Sequence, residues 1–296
     1  MSMDWDKLRV FHAVAEAGSF THAGETLNLS QSAVSRQISA LEETLAVPLF
    51  HRHARGLILT EQGESLNRTV REVFAKLAMT EALLTESKEK PAGRLKVTTT
   101  VGFGATWLAP RLAQFLEAYP DVSISLLLDD TDLDLAMREA DVAIRMHPPK
   151  QPDLIQRHLK QISWLTLASP AYLARHGTPQ RPEELDQHRL ILFGDYHPPV
   201  ADINWLAEAG TRSARARRAT LEVNSLHAMF LAIKAGVGIG ALPDWMGTDL
   251  DGLTRLLPDL KSPKVEVYFV YPEELRNSKR VAVFRDFLVA RLQELQ

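Results

Sequence analysis

The chain contains no cysteine. That removes disulfides, thiol nucleophiles and cysteine-based zinc sites, and it fits a reducing cytoplasm. No charge of one sign dominates: 34 Lys and Arg stand against 37 Asp and Glu, a formal net charge of -3. The whole chain is therefore not a basic nucleic-acid coat, and any DNA contact has to come from a local patch. No stretch approaches the roughly 18 uninterrupted apolar residues of a membrane span, so no membrane partner is expected. The opening MSMDWDKLRV has acids where a secretory signal has a basic run and an apolar core, so a cytoplasmic protein is expected. Common catalytic signatures are missing as well. There is no nucleophile elbow, phosphate loop, HExxH or plausibly framed carboxylate pair. GVGIG at 236–240 is better explained by close packing in a helix-to-strand turn than by a dinucleotide. The chain does not read as an enzyme, and no catalytic residue, metal ligand or cofactor is expected.

What is present points to two or three domains. The length of 296 residues allows that number, and 45% apolar content supports filled cores. The stretch Ser19–Leu45, SFTHAGETLNLSQSAVSRQISALEETL, reads as two short helices around a tight turn, over about 20–27 and 31–45. Ser19 and Ser30 are the candidate N-caps. On the second helix Val34, Ile38, Leu41 and Leu45 recur at spacings of 4, 3 and 4 and make one buried face. Ser32, Ser35, Arg36 and Ser39 form a small, polar, cationic front, flanked by Gln31 and Gln37. A helix with an apolar back and short polar front can lie in a major groove, where Arg reads guanine edges and Gln reads adenine edges. Taken alone, the same pattern also suits a solvated surface helix.

The flanks favour DNA. A helix over residues 4–17 precedes the pair, with Leu8, Phe11 and Val14 or Ala15 on one face and Gly18 as its C-terminal cap. After it, VPLFHRHARGLILTEQG suggests a β-hairpin wing tipped by Arg55–Gly56 and carrying His51, Arg52, His53 and Arg55. Arg52 and Arg55 are expected to hold phosphates beside the groove helix, which positions a protein without reading sequence. From Thr60 to about Lys88, Leu66, Val70, Val73, Leu77, Thr80 and Leu84 recur as a heptad seam. A second copy of the chain is its expected partner, since two groove helices need dimeric spacing to read an inverted repeat. KEKPAGR (88–94) then serves as a linker.

Beyond the linker the pattern is α/β. LKVTTTV, VSISLLLDD and DVAIRM read as strands, GFGATWLAPRLAQFLEAYP as a turn and amphipathic helix, and LDLAMREA as a short helix. This order suggests a parallel sheet. A second block begins at ISWLTLASP, continues through AYLARHG, PEELDQH, RLILFG, RATLEV, LHAMFLAIKAG and VGIGALP, and ends with the strand VEVYFVYP and a closing helix.

These segments together resemble the LysR-type transcriptional regulators. AVAEAGSFTHAGETLNLSQSAVSRQISALEETLAVPLFHRHARGLILTEQG is similar to that family's winged helix-turn-helix. GRLKVTTTVGFGATWLAPRLAQFLEAYPDV, DVAIRM, ASPAYLARHGTP and NSLHAMFLAIKAGVGIGALPDWM are similar to its effector-binding region, most like the glycine-cleavage-type group. Two departures stand out. Ala46 occupies a position where the family usually has Gly, and residues 129–132 are rich in carboxylate.

The resemblance implies an N-terminal winged helix-turn-helix (1–60), a linker helix for dimerisation (61–90) and a two-lobed α/β effector domain like a periplasmic binding protein (91–296). Lobe I would cover about 91–162 and 268–296, and lobe II about 163–267, with crossings near Ser163 and Val265. It implies a homodimer or homotetramer, double-stranded DNA with an interrupted inverted repeat, and a small-molecule co-inducer between the lobes, and it admits RNA polymerase as a partner. In open α/β sheets ligands lie beyond strand carboxyl ends, often at helix N-termini. That places Thr99, Thr100, Val101, Gly102 and Phe103, His147, Phe193, and Asn224 with Ser225 around an effector, with Thr100 and the free helix N–H groups suited to a carboxylate. The competing reading of the two lobes is a cytoplasmic solute-binding protein without operator specificity. Arg212, Arg215, Arg217 and Arg218 read as a solvated or interface loop.

Overall fold

Three short polar residues start the first three helices. In the computed structural model, which describes residues 4–53, 56–85, 90–149, 151, 154–194, 198–211, 215–250 and 252–295, Asp4, Ser19 and Ser30 each accept a first-turn backbone N–H, at 3.0, 3.2 and 3.2 Å. The helices are α1 (Trp5–Ala17), α2 (Phe20–Leu27) and α3 (Gln31–Leu45). Left-handed residues end them: Gly18, Asn28 and Ala46, at φ of 60°, 54° and 55°. Val10, Phe11, Val14, Val34, Ile38 and Leu41 form the core between them. Gly24 lets α2 approach the following turn, because a Cβ there would lie 2.6 Å from the Leu29 carbonyl oxygen. β1 (Phe50–His53) and β2 (Gly56–Leu59) pair antiparallel as a wing.

α4 (Glu61–Thr85) is capped by Thr60, whose Oγ1 accepts the Gly63 N–H at 3.0 Å and donates to the Pro48 carbonyl at 2.8 Å. Its heptad seam is not uniform. Leu66 and Val70 pack on the winged domain's own core together with Phe74, whose ring lies 4.8 Å from that of Trp5. Val73 and Leu77 are 38% and 50% exposed. Thr80 is exposed as well, and the Leu84 side chain lies outside the described residues. The start of the seam is thus covered within the chain, contrary to the expectation that all of it waits for a second subunit.

Residues 1–85 form one compact unit and residues 86–296 another. In the second, lobe I has a five-stranded sheet in the order β4-β3-β5-β12-β6. Its strands are β3 (Gly93–Thr99), β4 (Val122–Leu128), β5 (Val142–Arg145), β6 (Leu154–Ile162) and β12 (Val265–Pro272). β3 runs parallel to β4 and β5, but β12 runs antiparallel to β5 and β6, so the sheet is mixed and not parallel throughout. The reason is topological: β6 leaves the lobe and β12 returns directly beside it, without a crossover helix. The helix after β3 starts at Val101, not near Gly104. α5 (Val101–Phe103) runs through a π-turn (Gly104–Leu108) into α6 (Ala109–Ala118). LDLAMREA is a turn and not a helix. The Asp134 carboxylate accepts the Ala136 and Met137 N–H groups at 2.8 and 3.2 Å, and Arg138 at φ 56° stops helical growth.

Lobe II places β7 (Trp164–Ala168) between β10 (Gly240–Pro243) and β11 (Thr254–Leu256), all antiparallel. β8 (Ile191–Phe193) pairs parallel with β9 (Leu221–Val223), and a Leu190–Ile239 bridge ties this pair to β10. α7 (Pro170–His176) and α8 (Leu226–Lys234) complete the lobe. α9 (Lys279–Gln293) returns to lobe I, burying Val281, Phe284, Leu288 and Leu292. Between β6 and β7, Asp244 clamps the crossing by accepting the Ser163 N–H at 2.9 Å while its own N–H bonds the Ser163 carbonyl at 2.9 Å.

Candidate nucleic-acid interface and effector cleft

The candidate DNA-reading surface is the front of α3. Val34, Ile38 and Leu41 are fully buried behind it. Gln31, Ser32 and Arg36 are exposed, and Ser35 and Ser39 are partly so. The Ser30 and Ser32 hydroxyls pair at 3.1 Å and order the entry to the helix. Gln37 stands apart. It is partly buried one turn before the buried Leu41, and its Oε1 is out of solvent with no hydrogen-bond partner among the described residues. Arg55 lies outside the described residues; the Arg52 backbone is in β1, and its side chain is not described.

The second candidate is a cleft in lobe I at the carboxyl ends of β3 and β5, lined by residues 98–100, 129–133, 143–147 and Pro199. It brings together Thr99, Thr100 and His147 of the expected effector residues, and adds the acidic stretch 129–132. Thr99 is buried and donates its hydroxyl to the Ile144 carbonyl at 3.0 Å, which ties the two strand ends. The Val101 N–H, expected to be open to an effector carboxylate, is already engaged: it donates to Asp130 Oδ1 at 2.9 Å. Burial pushes the Asp130 carboxyl above its usual range, against the pull of that N–H. Asp129 Oδ1 accepts both the backbone N–H and the hydroxyl of Thr131, at 2.8 and 2.7 Å.

Asp132 organises the far side of the cleft. It lies 3.2 Å from Arg145 Nε and 3.3 Å from His147 Nε2. Arg145, only 4% exposed, also donates to the Leu133 carbonyl at 2.8 Å. The hydrogen bond to Asp132 raises His147 above the ordinary histidine value, with burial opposing. Burial lowers Arg145, with Asp132 and Asp134 opposing. The sequence reading missed Arg145, and its signal was a cation ending an otherwise apolar strand, VAIR.

Several expected effector residues do other work. Phe103 is fully buried, stacked on Trp107 at 4.8 Å and edge-on to Trp245 at 5.3 Å, so it backs the cleft and does not line it. Gly102 permits close packing of lobe I on lobe II, because a Cβ there would meet the Leu226 side chain at 2.8 Å. Phe193 is buried, and its backbone N–H and carbonyl are both held by the Asn204 amide, at 2.8 and 2.7 Å. Ser225 caps α8 through the Ala228 N–H at 3.4 Å, and Asn224 is exposed beside it. Neither Phe193, Asn224 nor Ser225 lines the cleft. In the basic loop Arg212 lies outside the described residues, and Arg217 is not solvated. Its guanidinium bonds Asp186 at 2.5 Å and the Ala209 and Pro182 carbonyls at 2.7 and 3.1 Å.

Among the described residues, no helix is long and apolar enough to cross a membrane, and no group of three or more His, Cys, Asp or Glu could hold a metal ion.

Comparison with known proteins bears on both surfaces. Residues 5–64 match the model of the bacterial regulatory helix-turn-helix protein of the lysR family, and residues 88–293 match that of the LysR substrate binding domain. The HTH-type transcriptional regulator CrgA of Neisseria meningitidis is 33% identical over 297 residues, covering 99% of this chain and 98% of that protein. The solved structure of CrgA superposes with a TM-score of 0.61 at 32% identity, covering 98% of this chain and 99% of that one. That of the Vibrio cholerae virulence activator AphB gives 0.63 at 29% identity, with 97% and 99% covered. Such regulators bind DNA and small-molecule effectors and form oligomers. The match over the DNA-binding domain sets aside a solute-binding protein without operator specificity. With both domains matched and a curated relative aligned end to end, the chain belongs to the LysR family of DNA-binding transcriptional regulators, with a C-terminal effector-binding domain.

Proposed function

We propose that α3 enters the major groove of an operator with Arg36 reading a base edge and Ser32, Ser35 and Gln31 assisting, while the wing holds phosphates. The observation that carries this is the exposed Ser32–Arg36 front on a helix whose opposite face is buried at Val34, Ile38 and Leu41. Two copies paired along the exposed part of α4, at Val73 and Leu77, read an interrupted inverted repeat, and a dimer of such dimers forms the working tetramer. A co-inducer enters the cleft at Thr99, Thr100, Asp132, Arg145 and His147. Closure of the lobes about Ser163 and Val265 then alters the spacing of the recognition helices and so the DNA geometry offered to RNA polymerase.

The test is footprinting of the full chain on DNA upstream of its own gene, over a salt series. Protection of an inverted repeat is expected, with affinity falling steeply as salt rises. Arg36→Ala is expected to lose about 1–3 kcal/mol of operator binding and much less on random DNA. Equal losses on both would remove Arg36 from base readout. Metabolites that shift the same footprint would identify the effector.

A further inference from the structure

We propose that lobe II holds a second small-molecule site, separate from the interlobe cleft, which takes an organic ammonium ion with an apolar body. This goes beyond the reading above and does not depend on DNA binding. The site is a cavity of about 460 Å³ at the carboxyl end of β8. Ligand pockets ordinarily run to roughly 300–1,000 Å³. Pro198, Ile203, Trp205 and Pro263 form its apolar walls. Trp205 Nε1 is out of solvent with no hydrogen-bond partner among the described residues, so what the indole presents to the cavity is carbon.

The Trp205 wall is fixed before any ligand arrives. The Trp205 N–H donates to the Asp202 carbonyl at 3.0 Å, and the Asn204 amide grips both backbone groups of Phe193. Just beyond, Arg217 donates to the Ala209 carbonyl at 2.7 Å. A preformed wall spares a ligand the entropy of ordering it. The cleft is a different site. No described residue lines both, although Pro199 of the same loop borders the cleft.

Asp202 and Glu208 supply the charge. Both line the cavity, both are exposed, and neither carboxylate has a hydrogen bond or ion pair among the described residues. No Lys, Arg or His is among the described lining residues. An anion entering the cavity meets two carboxylates and no cation. An ammonium ion is attracted by both, and an indole wall adds to the attraction at short range. A ring or short alkyl body covers the apolar walls, which removes carbon surface from water on both sides.

The experiment is calorimetric titration of the full chain with phenethylamine, phenethyl alcohol and hydrocinnamate, which share a ring and differ in charge. The amine is expected to bind about 5-fold or more tighter than the alcohol, and hydrocinnamate to bind weakest. The double variant Asp202→Asn with Glu208→Gln should weaken the amine about 5-fold and bring it level with the alcohol. Asn tolerates the φ of 44° at position 202, so the variant keeps the loop. Asp132→Asn, in the cleft, should leave the amine affinity unchanged. Amine binding that is unaltered in the double variant would overturn the proposal. So would its loss in Asp132→Asn, which would place the amine in the cleft. Absence of amine binding, or tighter binding of hydrocinnamate, would overturn it as well.

Discussion

The DNA-binding unit and the effector cleft are built in opposite ways. In the first, each functional side chain is placed by a local rule. Ser30 caps α3 three residues from its partner, Val34, Ile38 and Leu41 bury one stripe, and Arg36 is left on the other side. In the candidate cleft, the geometry depends on pairs that are distant in the chain. Asp130 reaches Val101 across 29 residues, and Thr99 reaches Ile144 across 45. The first surface tolerates reading from a string of residues, because a helix repeats every 3.6 residues whatever surrounds it. The second needs the sheet order before its chemistry can be stated.

That contrast can be broken experimentally at both ends. The largest effect is expected from Phe11→Ala, which empties the centre of the winged-domain core and should lower that domain's stability by about 3–5 kcal/mol in urea denaturation. A loss under 1 kcal/mol would mean that the local caps, and not this core, hold the domain. Asp132→Asn comes next. It leaves the buried Arg145 without its carboxylate, though Leu133 still accepts from it and Asp132 itself is 41% exposed. The full penalty of a buried pair is therefore discounted to about 1–2 kcal/mol in the effector domain. An unchanged midpoint would show that the cleft is not organised by this residue.

Ala46→Gly should act in the other direction. Ala46 is left-handed at φ 55°, and relief of that strain should raise stability by about 0.5–1 kcal/mol, read as a higher denaturation midpoint. The smallest effect is a pH dependence at His147. Its proton is held more tightly folded than unfolded, because Asp132 bonds the charged form. The stabilisation is complete below the ordinary histidine value and disappears as pH rises through the raised folded value. Wild type should therefore exceed His147→Gln in stability near pH 5.5 and match it near pH 9, by denaturation at each pH. A difference that grows with pH would reverse the assignment.

How much was legible follows the same division. α1 to α3, their caps, the wing and the start of α4 carry strong punctuation, and the left-handed turn at Ala46 was visible as a glycine position without glycine. β6 was not anticipated, because Leu154–Ile162 is polar on much of its length and earns its place by pairing with β12. LDLAMREA has helical composition, yet Asp134 bonds the backbone ahead of it and makes a turn instead. At the candidate sites, Gln37 reads as a flank of the polar front, and composition cannot say that its Oε1 is out of solvent. Thr99 and Thr100 were legible at a strand end, whereas Arg145 was passed over because VAIR reads as core.

The sequence by itself determined the helix-turn-helix, its polar front at Ser32, Ser35 and Arg36, and the α/β character of the second half. Those properties follow from period, capping and chain order, which act over a few residues. Only the tertiary structure decided that Asp130 occupies the Val101 N–H, that Asp132 joins Arg145 to His147, that Phe103 is buried against Trp107 and Trp245, and that Ser225 caps α8. Those outcomes depend on which strand ends meet, and that is set by burial and register across the whole domain.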